Sequence, residues 1–266
     1  MLSCGRNGIG VGQATNVHID NNHVYSTSAS GINLMAISTG VIISNNTTEN
    51  TASDGITGYG GAGPDVLVNS NIIRNAGNHG IHIGGTRVSL IRNIINGALS
   101  NGISLWVASD GAGYDSVISD NIVVAATTHG ILVVNHTNVK VSNNSVFSTT
   151  NGSGVLIDRC THFVVSGNNI KAAGTGVRVQ TCSKGVISNN EVNSCGNRGI
   201  YATDTGTGCT GITCTGNTIA DNTGRPLETA NNADYWCVTG NVFRNNSTVA
   251  VAMVGTNNIN ANNIAS

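Results

Sequence analysis

The sequence predicts an all-β solenoid of about 10–11 coils, each of roughly 24 residues and three short strands. Three observations carry this. First, apolar residues alternate with others over short stretches, as in Gly80-Ile81-His82-Ile83 and Val88-Ser89-Leu90, and a third apolar pair follows at Ile94-Ile95. Strand side chains alternate between two faces, so three short strands separated by turns fit Gly80 to Asn101 better than a helix. Second, an asparagine recurs three residues after the apolar end of each coil's second strand: Asn22, Asn46, Asn71, Asn93, Asn121, Asn144, Asn168, Asn190, Asn217, Asn241 and Asn262, at spacings of 21 to 28 residues. Third, a glycine lies nine residues after most of these, at Gly31, Gly55, Gly80, Gly102, Gly130 and Gly199, one late at Gly154 and one early at Gly176. An aliphatic residue follows each glycine. One copy cannot bury its apolar face alone, so the copies must stack.

Taken in order, the strands begin at Asn7 to Val11 and the coils run without a break to about Ile264. Residues 1–266 therefore read as one domain, which is long for a single core but natural for a solenoid, where each coil touches only its neighbours. Inward positions of the first strand include Ile81 and Ile83, Ile103 and Leu105, and Val177 and Val179. Those of the second include Val17 and Ile19, Val41 and Ile43, Val139 and Val141, and Val165. The asparagines fall at the turn that follows, where side-chain amides on successive coils can bond to one another. Only Pro64 and Pro226 interrupt the supply of backbone N–H groups that a ladder needs.

Composition narrows the function classes. Charged residues make up 9% and the formal net charge is −1, so no global field attracts nucleic acid, and the 12 Lys and Arg are spread along the chain. No apolar run is long enough to span a membrane. Seven cysteines show no zinc-binding spacing. Cys160 and Cys182 each lie six residues after their coil's glycine and should stack on adjacent rungs, either as a disulfide or as buried thiols.

The GI-x-[IL] strand, the V-x-[IV]-S-x-N turn and the period near 24 resemble right-handed parallel β-helix repeats. The chain looks like the pectate-lyase-like superfamily, which includes polygalacturonases, pectate lyases and phage tailspikes. The resemblance covers nearly the whole chain and implies a polysaccharide partner and an extracellular or virion-surface location. It also admits a homotrimer or another oligomer. Relatives close the N-terminal end with a helix and protect the C-terminal end. Neither cap is evident here, so the chain reads as a central part of a larger protein or as one whose ends a partner covers.

Chemistry is expected on loops and on the first-strand face. The turns Gly58 to Asp65 and Ala108 to Asp115 are longer than the rest, and both end in aspartate before the second strand. They should flank a trough floored by His82, with Trp106 one coil further and Tyr59 one coil before. Aromatic faces beside polar groups suit sugar rings. Arg87, Asp110, Tyr114 and His129 join Tyr59 and Trp106 as candidate substrate-binding residues. Asp54, His79, His82, Asp65 and Asp115 are the candidate catalytic residues. Asp54 and His79 belong to a row just before the glycines (Ser30, Asp54, His79, Asn101, His129) and should lie one rung apart. A carboxylate beside an imidazole supports acid–base chemistry. Asp65 and Asp115 lie two rungs apart, a separation suited to inverting hydrolysis if both face the trough. Asp158, Arg159, Arg178, Arg198 and Tyr201 form a second polar patch.

The resemblance sharpens these expectations. His79-Gly80-Ile81-His82-Ile83-Gly84 looks like the polygalacturonase G-H-G segment, and Asp54 matches the second Asp of D-D. Ser30 and Ser53 stand where that mechanism has aspartates, and no R-I-K follows. The likeness to pectate lyases makes calcium a candidate cofactor, with Asp65, Asp110 and Asp115 offering oxygens. Two readings remain. One is cleavage of a polysaccharide, by hydrolysis or elimination. The other is a non-catalytic glycan-binding or structural shaft, such as a tailspike or adhesin.

Overall fold

The structure, a computed structural model, describes residues 6–35, 37–58, 63–107, 113–203, 208–230, 232–248 and 251–265. Short strands in these residues assemble into three parallel sheets of eleven strands each. Every third strand joins the same sheet, so each coil contributes one strand to each sheet. Among the described residues there is no helix. The register follows the repeat: Ile81, His82 and Ile83 lie level with Ile103, Ser104 and Leu105 on one side, and with Ile56, Thr57 and Gly58 on the other. This is the expected parallel β-helix, with one strand of the first sheet per turn.

The three sheets enclose one continuous core of stacked aliphatic columns. Ile81, Ile83, Ile103, Leu105, Val177 and Val179 are fully buried, as are Val41, Ile43, Val141 and Val165. Val17 is only partly buried, since it precedes the edge strand His18–Asp20, which has a single neighbour. The glycine landmark has a steric cause. A Cβ on Gly55 would stand 2.5 Å from Ile73 Cγ2 and 2.7 Å from the Gly80 carbonyl oxygen. At Gly80 it would stand 2.5 Å from both Ile95 Cγ2 and the Gly102 carbonyl oxygen. The third sheet's aliphatic column presses against the backbone here and leaves no room for a side chain.

The asparagines form a buried ladder. Asn121 Oδ1 accepts from the Asn93 N–H (2.9 Å) and the Asn93 amide (3.0 Å), and the Asn121 amide donates to Asn144 Oδ1 (2.9 Å) and to the Leu90 carbonyl (2.8 Å). The same pattern continues to the last coils, with one correction. The final rung is Asn263, whose Oδ1 accepts from Asn241, and not Asn262. Asn262 occupies the preceding turn position, where φ is 55°. Its counterparts Asn21, Asn45, Asp120 and Asn143 share that left-handed conformation, which Asn and Asp tolerate better than most residues.

The six described cysteines are free. Cys160 and Cys182 do stack, and the Cys160 N–H donates to Cys182 Sγ at 3.5 Å. Burial pushes the Cys160 thiol up to about 12, so the pair is an inert column of small buried side chains.

Candidate functional site

The first sheet brings Asp54, His79 and His82 together. Asp54 and His79 precede the glycines of successive coils, and His82 occupies the central position of the strand Ile81–Ile83. Asp54 Oδ1 accepts from the Asn78 amide (2.9 Å) and from the His79 N–H (3.0 Å). Its other oxygen lies 3.7 Å from His82 Nδ1. The His79 and His82 rings meet edge to face at 4.5 Å between centroids. Trp106 stacks nearly parallel to His82, at 6.3 Å and 11°. Asp54 and His82 are almost wholly buried, whereas Trp106 is 36% exposed.

The row before the glycines is a second hydrogen-bonded ladder. The Asn101 N–H donates to His79 Nδ1 (3.2 Å), the His129 N–H to Asn101 Oδ1 (3.1 Å), and the Ser153 N–H to His129 Nδ1 (3.0 Å). Accepting at Nδ1 fixes both rings as neutral tautomers with hydrogen on Nε2. Burial, with the neighbouring His82, pushes His79 down to about 4, against the opposing pull of Asp54. Burial and then Arg178 push His129 to about 4. Burial acts to raise the Asp54 carboxyl. The bonds from His82 and the His79 amide, with the nearby rings, outweigh it and hold Asp54 below the usual range.

The remaining candidates occupy an adjoining face. Asp65, Arg87 and Asp115 all enter the second sheet in the left-handed conformation, with φ of 64°, 51° and 52°. Asp65 and Arg87, with Ile42, Leu67 and Ser89, border a shallow groove of about 360 Å³ on the second sheet, and Asp115 lies one coil further along that sheet. Arg87 grips Asp65 with two bonds, 2.7 and 3.0 Å, and reaches Tyr114 Oη at 3.3 Å. This holds the Asp65 carboxyl below its ordinary range. Asp115 accepts from the Asn138 amide at 2.5 Å. One expected trough is thus two surfaces: Asp54, His79, His82 and Trp106 on the first sheet, and Asp65, Arg87, Tyr114 and Asp115 along the second. Tyr59 and Asp110 lie outside the described residues.

Asp54, His79 and His82 place ligand atoms within 4.8 Å of one another, the tightest grouping of metal-ligating side chains among the described residues. Two imidazoles and one carboxylate do not suit calcium, which takes six to eight oxygens. Of the three aspartates considered for calcium, Asp65 is already bound to Arg87. In the second polar patch, Asp158 pairs with Arg159 at 2.8 Å. Arg198 binds Glu228 through two bonds and lies 4.2 Å from the Tyr201 ring centroid. Sequence reasoning missed Asn78 and Glu228, because neither carries a motif and each acts only through its partner.

The model of the right-handed β-helix region matches residues 2–115 and 111–265. The chain belongs to that family. No curated protein sequence matches it. Among solved structures, this β-helix resembles the A-module of mannuronan C-5 epimerase AlgE4 of Azotobacter vinelandii, with TM-score 0.70 and 12% identity over 96% of this chain and 79% of that one. The enzymatically active domain of tailspike protein 2 of bacteriophage CBA120 matches with TM-score 0.59 and 13% identity, over 87% of this chain and 38% of that one. A lacto-N-biosidase from Eubacterium ramulus matches with TM-score 0.58 and 11% identity, over 90% and 51%. The chain therefore spans about half or less of the latter two. At these identities the likeness is one of fold.

Proposed function

We propose that this β-helix acts on a polysaccharide, cleaving it on the outer face of the first sheet by hydrolysis or elimination, at the cell exterior or a virion surface. The observation that carries the reading is the Asp54–His82 pair beside the Trp106 ring. Asp54 faces Nδ1 of His82, which favours a hydrogen there and leaves the lone pair on Nε2; that nitrogen is buried from solvent, so this reading requires the substrate to displace what covers it. His79 offers a neighbouring Nε2–H donor, and Trp106 a flat surface for a sugar ring. The names of the similar structures, an epimerase of mannuronan, a biosidase and an enzymatically active tailspike domain, agree with a glycan substrate. Hydrolysis by Asp65 and Asp115 has less support, because Arg87 neutralises the first and Asn138 occupies the second.

A second reading is a non-catalytic glycan-binding shaft. What favours it is that His82 is only 8% exposed and that His79 and His129 spend Nδ1 on backbone amides. A panel of acidic and neutral polysaccharides separates the two, read for new reducing ends and for absorbance of unsaturated products. Reducing ends alone indicate hydrolysis, and both signals indicate elimination. Binding without either signal over the whole panel replaces cleavage by the shaft reading.

A further inference from the structure

Four rungs beyond His82 on the same outer face stands Arg178, roughly 19 Å away at one strand spacing per rung. It lines a groove of about 410 Å³ whose walls are Asn151, Ser153, Thr175 and Asn197, with Gly152, Gly174 and Gly196 between them. The other cations of this patch have carboxylates: Arg198 and Arg225 share Glu228, and Arg159 takes Asp158. Arg178 has none within ion-pair distance among the described residues. It donates from one terminal nitrogen to Gln180 Oε1 at 3.1 Å, and its Nε, buried from solvent, has no partner. A buried donor left unmade is costly, and more so on a charged group. The guanidinium is also the side chain best shaped to grip a planar oxyanion. The carboxylate next to it, Asp158, holds Arg159 through Oδ2, makes no ion pair with Arg178, and leaves its own buried Oδ1 without a partner.

We infer that Arg178 and this groove form an anion subsite that takes the oxyanion of an acidic sugar, a carboxylate or a sulfate ester. The sugar class rests on the glycan reading above, but the subsite does not require that the chain cut anything. Small residues at Gly152, Gly174 and Gly196 keep the groove open. At Gly174 an added Cβ would stand 2.6 Å from the Gly152 carbonyl oxygen, so a larger residue there would disturb the wall as well as narrow the groove.

The test follows the Arg178 Nε–H signal in the nitrogen-15 spectrum of the whole chain, assigned by its loss in Arg178→Gln. Glucuronate, glucose 6-sulfate and glucose are titrated in turn. The subsite predicts a saturable shift with glucuronate, with the sulfate ester, or with both, and none with glucose. A response to only one anion identifies the source. It also predicts that Arg178→Gln weakens binding of an acidic oligosaccharide by about tenfold or more, the loss expected for a charge-assisted pair. A signal unmoved by either anion, or moved equally by glucose, overturns the subsite. If the signal responds but no polysaccharide in the panel is cleaved, the subsite stands and the cleavage reading fails. If Arg178→Gln folds poorly, Arg178→Lys, which keeps the charge but also lacks the guanidinium Nε–H, supplies the assignment, and the wild-type titration then decides the matter.

Discussion

Replacing Asn121 with alanine removes a fully buried rung of the ladder and four hydrogen bonds at once. The Asn93 N–H loses its acceptor, and Asn144 Oδ1 loses one of its donors. The Asn93 amide keeps only its bond to the Val68 carbonyl. A net contribution near 1 kcal/mol per bond, plus the cost of stranding a buried donor, sums to about 3–5 kcal/mol. Asn22 provides the internal control. It lies at the ladder's partly exposed end, donates to Asp20 and Asn46, and water can replace what alanine removes. Asn22→Ala should cost less than about 1 kcal/mol. Urea unfolding followed by circular dichroism measures both. Because coils can open locally, amide exchange around residues 93 and 144 should be read alongside. Equal costs for the two substitutions, or a cost below about 1 kcal/mol for Asn121→Ala, would refute the claim that buried amide bonding sets the repeat.

Gly55→Ala should destabilise the fold by about 1–3 kcal/mol through overpacking, whereas Gly12→Ala, whose Cβ would meet nothing within 4 Å, should fall within about 0.5 kcal/mol in the same urea assay. Stability should fall as pH drops from 6.5 toward 4 and be fully present above 6.5. The unfolded histidines take protons near 6.5, while folded His79 and His129 resist until about 4, so the unfolded state binds more protons in that window. At full weight this is about 3 kcal/mol per ring, and solvent contact reduces it to roughly 1–2 kcal/mol. His129→Gln should reduce that pH dependence, which His79 and the buried His136 share, in denaturation curves at pH 7 and pH 4.5, and an unchanged slope would contradict the assignment. Trp106→Ala should weaken glycan binding by about tenfold in calorimetry while costing less stability than Asn121→Ala; undiminished affinity would remove the ring from the substrate path.

The coil was readable because two landmarks hold phase, and each has a physical cause. The asparagine must bond up and down, and the glycine has the third sheet against its backbone. The terminal rung was misplaced by one residue because Asn262 and Asn263 are both asparagine, and only backbone conformation tells the turn residue from the ladder residue. Asp54, His79 and His129 could be aligned from sequence since they share one offset from the glycines. Their ring orientations could not, because these depend on backbone amides one coil away. The separation of Asp65 and Arg87 from His82 was hidden for a similar reason. Left-handed turns at positions 65, 87 and 115 decide which sheet those side chains face, and Arg87 gives no sequence hint of that conformation.

The most direct measurement compares polysaccharide turnover and affinity in the wild-type chain and in His82→Ala. If Asp54 and His82 supply the base, product formation should fall by roughly 100-fold or more while affinity stays within a few-fold. Product formed at the wild-type rate by His82→Ala would contradict that assignment and move any chemistry away from the first sheet.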